Sequence, residues 1–413
     1  MLNIEGLRED TPSSRIEINL NHATRSPTPM SVVEEMCRYL RERITNDPWL
    51  REAWAKRMSA IKPSIAQLVN ASADEIVLTR NASEALNIVA HGVSFEKGDN
   101  VVISNLEFHS NVTPWMRLVE RKGIELRIAK AGNDLVLDPG TVEDLVNERT
   151  KLISIVHVVN SIGTVQPVEE IGRIAKEHGS LFMVNGSMSC GGMPVDVKRI
   201  GCDFLLAPGR KWLRAPDGCG FLYINAKAVE RVTPPFIGYR ATYWLPDENK
   251  YEYLPGAGRY EIGDYGSVNH LGLGLAVDYA LNLGIEEIEK RIRGLFSLAY
   301  DGLSEMPDVE IYGTSDMSRR MFLAMNIKGM NPWLVSSLMQ NRRIVMESGD
   351  YLNLMIPNVI GAEEWLRVSP HYFNTEQEIE RFVNAAREIA RRFKGTTVPK
   401  YLGYTELEKN AVR

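Results

Sequence analysis

Between residues 75 and 184, short apolar runs of strand length alternate with stretches of helical periodicity. Runs rich in Val, Ile and Leu fall at 75–79, 101–105, 125–129, 152–157 and 181–184, and helical spacing fills 85–93, 111–121, 142–148 and 168–178. Helical stretches thus separate successive strands. That pattern calls for a mostly parallel sheet covered by helices on both faces, an α/β fold. Two helices are expected over 31–69, interrupted near 46–48, and two more over 268–283 and 286–303. Beyond them, strands near 309–312, 322–327, 344–346 and 366–368 mix with helices at 333–340 and 376–393, the pattern of a smaller α+β unit.

Ligands of an open α/β sheet bind outside the carboxyl ends of its strands. Polar or aromatic groups follow the apolar runs at Asn81, Glu107, Phe108, His109, Asn160, Asn185 and Lys211, so the crevice rule gathers them on one rim. Lys211 lies between two apolar strands within 203–224, with Gly209 and Arg210 before it and Gly218 and Gly220 after it. A lysine next to a guanidinium suited to phosphate points to covalent attachment of pyridoxal phosphate. The plainer reading is a solvated lysine in a turn. Ser83 and Glu84 suit the first turn of a helix, whose N–H groups form an anion site or serve as an ordinary cap.

At 413 residues the chain exceeds one ordinary core. With 44% hydrophobic and 24% charged residues it has the composition of a soluble globular protein. A net charge of -5 with no basic block argues against nucleic acid and anionic membrane as partners. The start lacks a signal-peptide layout, and no apolar run approaches the roughly 20 residues that span a bilayer, so a cytoplasmic location is expected. Cys37, Cys190, Cys202 and Cys219 have no paired spacing, which indicates neither zinc nor disulfides. Residues 1–15 are polar and read as a mobile lead-in.

The segment Lys211-Trp212-Leu213-x-Ala215-Pro216-x-Gly218-x-Gly220-Phe221-Leu222 resembles the cofactor-lysine segment of the pyridoxal-phosphate-dependent class V aminotransferase superfamily. Its Lys-Trp-Leu wording is most similar to the isopenicillin N epimerase-like branch, with the cysteine desulfurases as near relatives. The resemblance runs over about 20–393. It implies an aspartate-aminotransferase-like fold divided into an N-terminal segment (1–20), a large cofactor-binding domain (21–265) and linking helices with a small C-terminal domain (266–413). It implies that Lys211 carries the cofactor, with Arg210 beside it. Ala82 and Ser83 then belong to the phosphate loop, Phe108 or His109 stacks on the ring, and Asn160 lies near the phenolic oxygen. Asn185 faces the pyridine nitrogen, with Met188 close by. His22, in Leu20-Asn21-His22, becomes a substrate contact or a histidine bonded within its turn, and Arg367 pairs with the substrate carboxylate. The loop 256–264 resembles one that reaches a neighbouring subunit, implying a homodimer with sites at the interface.

Several positions depart from the family pattern. Ala82, Pro208 and Asp264 stand where hydroxyl residues are usual, Asn185 where aspartate is usual, and Met188 where glutamine or histidine is usual. Asp264 would repel a phosphate unless it turns away. An amide at 185 cannot supply the charge that keeps a pyridine nitrogen protonated, which weakens the electron sink. Chemistry that promptly discharges charge at Cα is then favoured: β-elimination or C–S cleavage of a small amino acid or its conjugate first, epimerisation second, transamination third. Residues 342–370 contain no cysteine, on which ground cysteine desulfuration is disfavoured. A cofactor-free binding or scaffold descendant of the fold is the reading from another class.

Overall fold

The computed structural model describes residues 2–45 and 47–393; residues 394–413, the end of the expected C-terminal unit, lie outside the described residues, as do Met1 and Asn46. Its largest sheet consists of β1 (Ile76–Thr79), β2 (Asn100–Ser104), β3 (Glu125–Ala129), β4 (Thr150–Val156), β5 (Leu181–Asn185), β6 (Phe204–Pro208) and β7 (Gly220–Ile224). The spatial order is β1-β7-β6-β5-β4-β2-β3, and only β7 runs against its neighbours. Alternate residues serve two cores. Val102, Ile153, Val184 and Leu205 face one, and Val101, Leu152, Met183 and Leu206 face the other. Such two-sided burial is what near-continuous apolar strands require.

The helix expected over 142–148 forms earlier, at Pro139–Glu143. Asp138 accepts from the Gly140 N–H at 3.0 Å and Pro139 opens the helix, so the cap and the fixed proline φ set its start. Asn147 and Thr150 then turn the chain: the Asn147 N–H donates to Thr150 Oγ1 and the Arg149 N–H to Asn147 Oδ1.

The expected mobile lead-in is instead folded. Ile4–Glu9 is a helix capped by Asn3, Leu7 is buried, and Arg8 pairs with Glu378 at 2.7 Å. Thr11 is fully buried and accepts from Arg214 Nη2 at 2.6 Å. A buried guanidinium needs acceptors, and the N-terminal segment provides one.

A second, antiparallel sheet is built from β8 (Val309–Tyr312), β9 (Leu323–Ile327), β10 (Glu347–Gly349) and β11 (Trp365–Val368), ordered β8-β9-β11-β10. Helices Ile285–Ser304 and Glu376–Phe393 share its core. The strand expected at 344–346 pairs elsewhere, Ile344 and Val345 lying parallel to Ile18 and Asn19. That parallel pairing ties the chain's start to this sheet, and β10 follows directly, placing Glu347 opposite Arg367. Among the described residues no helix is long and apolar enough to cross a membrane.

Candidate active site

The parallel strands deliver their polar ends to one edge. Asn81 follows β1, Phe108 and His109 follow β2, Asn160 follows β4, Asn185 closes β5 and Lys211 comes shortly after β6. A cavity of about 580 Å³ opens there, lined from the large sheet by Phe108, Asn160, Arg210 and Lys211. Asn21 and Thr24 supply a second wall, and Glu347, Tyr351 and Arg367 a third.

Lys211 is held by a tight local fold. Gly209 donates to Cys219 O at 2.9 Å and accepts from the Ala215 N–H at 2.9 Å. A Cβ at Gly209 would lie 2.8 Å from that of Ala215, so this glycine serves chain packing rather than ligand approach. The Lys211 amine lies 3.3 Å from Met188 Sδ. Burial, and then the positive charges of Arg210 and Arg367, lower its pKa to about 7, against a smaller opposing effect from Glu347.

Arg367 is 3% exposed and richly bonded. Its Nη1 donates to Asn160 O at 2.8 Å, and its Nη2 donates to Asn21 Oδ1 at 3.1 Å and Glu347 Oε2 at 2.9 Å. Thr24 Oγ1 touches both Arg367 and Glu347. The guanidinium also lies 4.8 Å over the Tyr351 ring. Asn160 donates to Tyr351 O at 3.3 Å.

Deeper along the same edge, Asn185 is buried and its Oδ1 accepts from the Ser187 N–H at 3.1 Å. Ala82 and Ser83 open the helix Ala82–Gly92, capped by Asn81, which accepts from the Glu84 N–H at 2.9 Å. These four residues, Ala82, Ser83, Asn185 and Met188, lie beyond the cavity walls, and Met188 reaches the cavity through Lys211.

His22 is brought elsewhere. It is fully buried, its Nε2 is 3.0 Å from Asn19 O, and its ring meets His371 and Phe373 at 5.3 and 5.0 Å. Burial and then Arg214 lower its pKa to about 3, so it is a neutral core ring, and its neighbours Asn21, Ala23 and Thr24 line the cavity instead. Of the two aromatic alternatives, Phe108 faces the cavity, while His109 is exposed and donates its N–H to Leu352 O at 3.0 Å. Asp264 is exposed and bonded to Tyr239 Oη at 2.6 Å and Arg240 Nη2 at 3.1 Å; its partner is thus neither Arg210 nor Arg259.

Sequence reasoning missed Thr24, Glu347 and Tyr351. Each lies in a stretch without periodic signal: chain pairing brings in Thr24, through the Asn21 bridge to Ser369, and Glu347, opposite Arg367, while Tyr351 Oη donates to Glu347 O and Trp365 O. Glu107 proves to be a buried support beneath Phe108. Its carboxylate accepts from Ser104 Oγ, Asn111 Nδ2 and the Val156 N–H at 2.7 to 2.9 Å, and burial raises its pKa to about 7.

The cavity retains unused polar capacity, since Asn160 Oδ1 and Arg367 Nε are buried without a partner. Unpartnered groups of this kind beside a deprotonatable lysine fit a bound aldehyde cofactor and an acidic substrate group.

Comparison with known proteins bears on that chemistry. The family model Aminotransferase class-V matches residues 18–382. A probable cysteine desulfurase of Methanothermobacter thermautotrophicus is 36% identical, covering 94% of this chain and 98% of its own. The apo structure of a cysteine desulfurase from Thermococcus onnurineus NA1 is 29% identical with a TM-score of 0.88, covering 95% and 99% of the two chains. A C-DES mutant with glycine covalently linked to its PLP cofactor shares the fold at a TM-score of 0.82 and 20% identity. These relatives overturn the expectation that set cysteine desulfurases aside. A missing cysteine at 342–370 concerns one residue, whereas likeness to proteins of that name extends over nine-tenths of the chain. The chain is therefore a pyridoxal-phosphate-dependent enzyme acting on an amino acid, and it belongs to the class-V aminotransferase family.

Proposed function

We propose that this chain cleaves the C–S bond of cysteine or an S-substituted cysteine, in the cytoplasm and as a homodimer. The observation that carries the reading is one cavity holding a lysine of pKa about 7 and a buried arginine. The names of its relatives point to the same bond.

Lys211 would hold the cofactor, with the first-turn N–H groups of Ala82 and Ser83 available to its phosphate, Phe108 to its ring, and Asn160 and Asn185 to its polar edges. When bound, pyridoxal phosphate supplies an electron sink for charge developing at Cα. Arg367 takes the α-carboxylate, fixing the amino acid's orientation. Lys211 moves the proton at Cα, and a depressed pKa suits that task near neutral pH.

Incubation of the loaded enzyme with L-cysteine and S-alkylcysteines tests this. Release of the sulfur fragment with pyruvate and ammonia, or with alanine, supports C–S cleavage. Racemisation or amino transfer without sulfur release refutes it.

The homodimer reading rests on the resemblance of the loop 256–264 to one that reaches a neighbouring subunit, and the preceding stretch carries the exposed aromatics Phe236, Tyr239 and Trp244 at 67%, 68% and 74%. Sedimentation should show a dimer; a monomer that retains cofactor would overturn it.

A further inference from the structure

Arg367, read above as the receiver of the substrate carboxylate, already has a carboxylate. Glu347 stands directly opposite it across the β10–β11 ladder and bonds it at 2.9 Å, while Thr24 braces the pair. Only the Nε edge of the guanidinium is unpartnered. A substrate carboxylate that takes this edge bidentately must share or displace Glu347 at Nη2. Glu347 then loses its counter-charge in a half-buried position, which is costly unless the ligand brings a cation.

The rest of the wall deepens that requirement. Asp350 and Glu364 line the cavity with Glu347, against Arg210 and Arg367 as the guanidinium charges. Arg210 is 3.9 Å from Asp217, and its Nη1 is committed to Thr24 O at 2.8 Å. The amine of Lys211 adds little positive charge once it is deprotonated or holds the cofactor. Trp333 offers an apolar surface beside these acids.

We propose that Glu347 is a specificity-determining residue, and that the cavity selects sulfur-containing amino acids whose sulfur substituent carries an ammonium group. This rests on the reading that Arg367 takes the α-carboxylate and that the bond cleaved is C–S. The substrate's carboxylate takes the Arg367 edge, and its distal ammonium takes the carboxylate of Glu347, with Asp350 and Glu364 adding to the field. Each charge released by the exchange finds a new partner within the same ligand. A neutral S-alkyl substituent leaves Glu347 unpaired, and an acidic one adds repulsion.

The experiment compares S-(2-aminoethyl)cysteine with the isosteric S-propylcysteine at pH 7.5, in the loaded wild type and in Glu347→Gln and Glu347→Asp. The wild type should favour the amine by about tenfold or more in kcat/KM, the range of one charge-assisted bond. Glu347→Gln should bring the ratio near one, and Glu347→Asp should restore part of it. Calorimetry with 3-(2-aminoethylthio)propanoate and 3-(propylthio)propanoate gives a readout free of turnover, because neither has an α-amino group. There the amine should bind more tightly to the wild type, and Glu347→Gln should tighten the neutral ligand by freeing Arg367. No preference in the wild type, a preference that survives Glu347→Gln, or no binding of either ligand overturns the proposal. Failure of the C–S reading looks different: neither cysteine derivative is cleaved, yet the calorimetric preference persists. Failure of the carboxylate reading shows as Arg367→Gln leaving the affinity for both acids unchanged.

Discussion

The amine of Lys211 lies 3.3 Å from the thioether of Met188. Sulfur is a weak acceptor and carries no charge, so this contact does little to hold an ammonium. Burial and two nearby guanidinium groups oppose the charge further, and only Glu347 favours it. The thioether at 188 thus leaves Lys211 easy to deprotonate.

Lys211 in the cofactor-free protein should therefore react with amine reagents along a pH curve centred near 7, far below the usual lysine value of about 10.4. Mass spectrometry of the labelled peptide checks this, and Met188→Gln should move the midpoint upward by providing an oxygen acceptor. Stability follows with a definite sign. Between the folded pKa of about 7 and the unfolded value of 10.5 the unfolded chain binds the extra proton, so stability rises with pH across that window. Lys211→Met removes the penalty and should stabilise the cofactor-free protein by a few kcal/mol at pH 7, with the gain vanishing above about pH 10.5. Equal unfolding curves for the two proteins at pH 7 would show that the amine is not strained by burial.

Arg214 gives a second prediction. It is buried with φ 61°, bonds Pro27 O at 2.9 Å, Tyr372 Oη at 2.8 Å and Thr11 Oγ1 at 2.6 Å, and lies 4.3 Å over the Phe373 ring. Thr11→Val keeps the shape and removes one acceptor, so it should cost ~1–3 kcal/mol in denaturant unfolding. Removal of residues 2–15 should cost more. A truncated chain as stable as the full one would return the segment to the mobile lead-in that its polarity suggests.

That segment marks the limit of what the sequence disclosed. Polarity at Arg8 and Thr11 reads as solvation until Glu378 and Arg214, hundreds of residues away, supply the partners. Strands β1, β2 and β4 to β7 were legible because two-sided burial writes itself into consecutive residues, as in Phe204–Pro208, whereas the edge strand β3 is half exposed. The strand-end residues Asn160 and Lys211 followed from that. Glu347 was hidden because its meaning depends on register: its place opposite Arg367 is set by a three-residue strand that carries no periodicity of its own. Of the two readings of His22, the ring bonded within its turn is the one that fits, since a motif fixes its position on the chain but not which way the ring turns. Here the aromatic cluster with His371 and Phe373 draws it inward.

Asn185 carries the last prediction. It closes β5, and its side-chain oxygen is taken by the Ser187 N–H at 3.1 Å, so the end of the amide left to face a ligand is its NH2. A donor there suits an unprotonated ring nitrogen. An aspartate would be charged near neutral pH, would raise that nitrogen's pKa, and would repel the NH2-compatible form. Asn185→Asp should therefore make the bound cofactor a stronger electron sink and lengthen the life of charge at Cα. Amino transfer should then rise relative to C–S cleavage on the same substrate, and the affinity for pyridoxal phosphate should change alongside. Quantifying keto acid, pyruvate and released sulfur for one S-alkylcysteine gives the partition, and equilibrium dialysis gives the affinity. If neither moves, Asn185 is a structural substitution without electronic consequence, and any preference for cleavage over transamination must come from the cavity walls around Glu347 and Arg367.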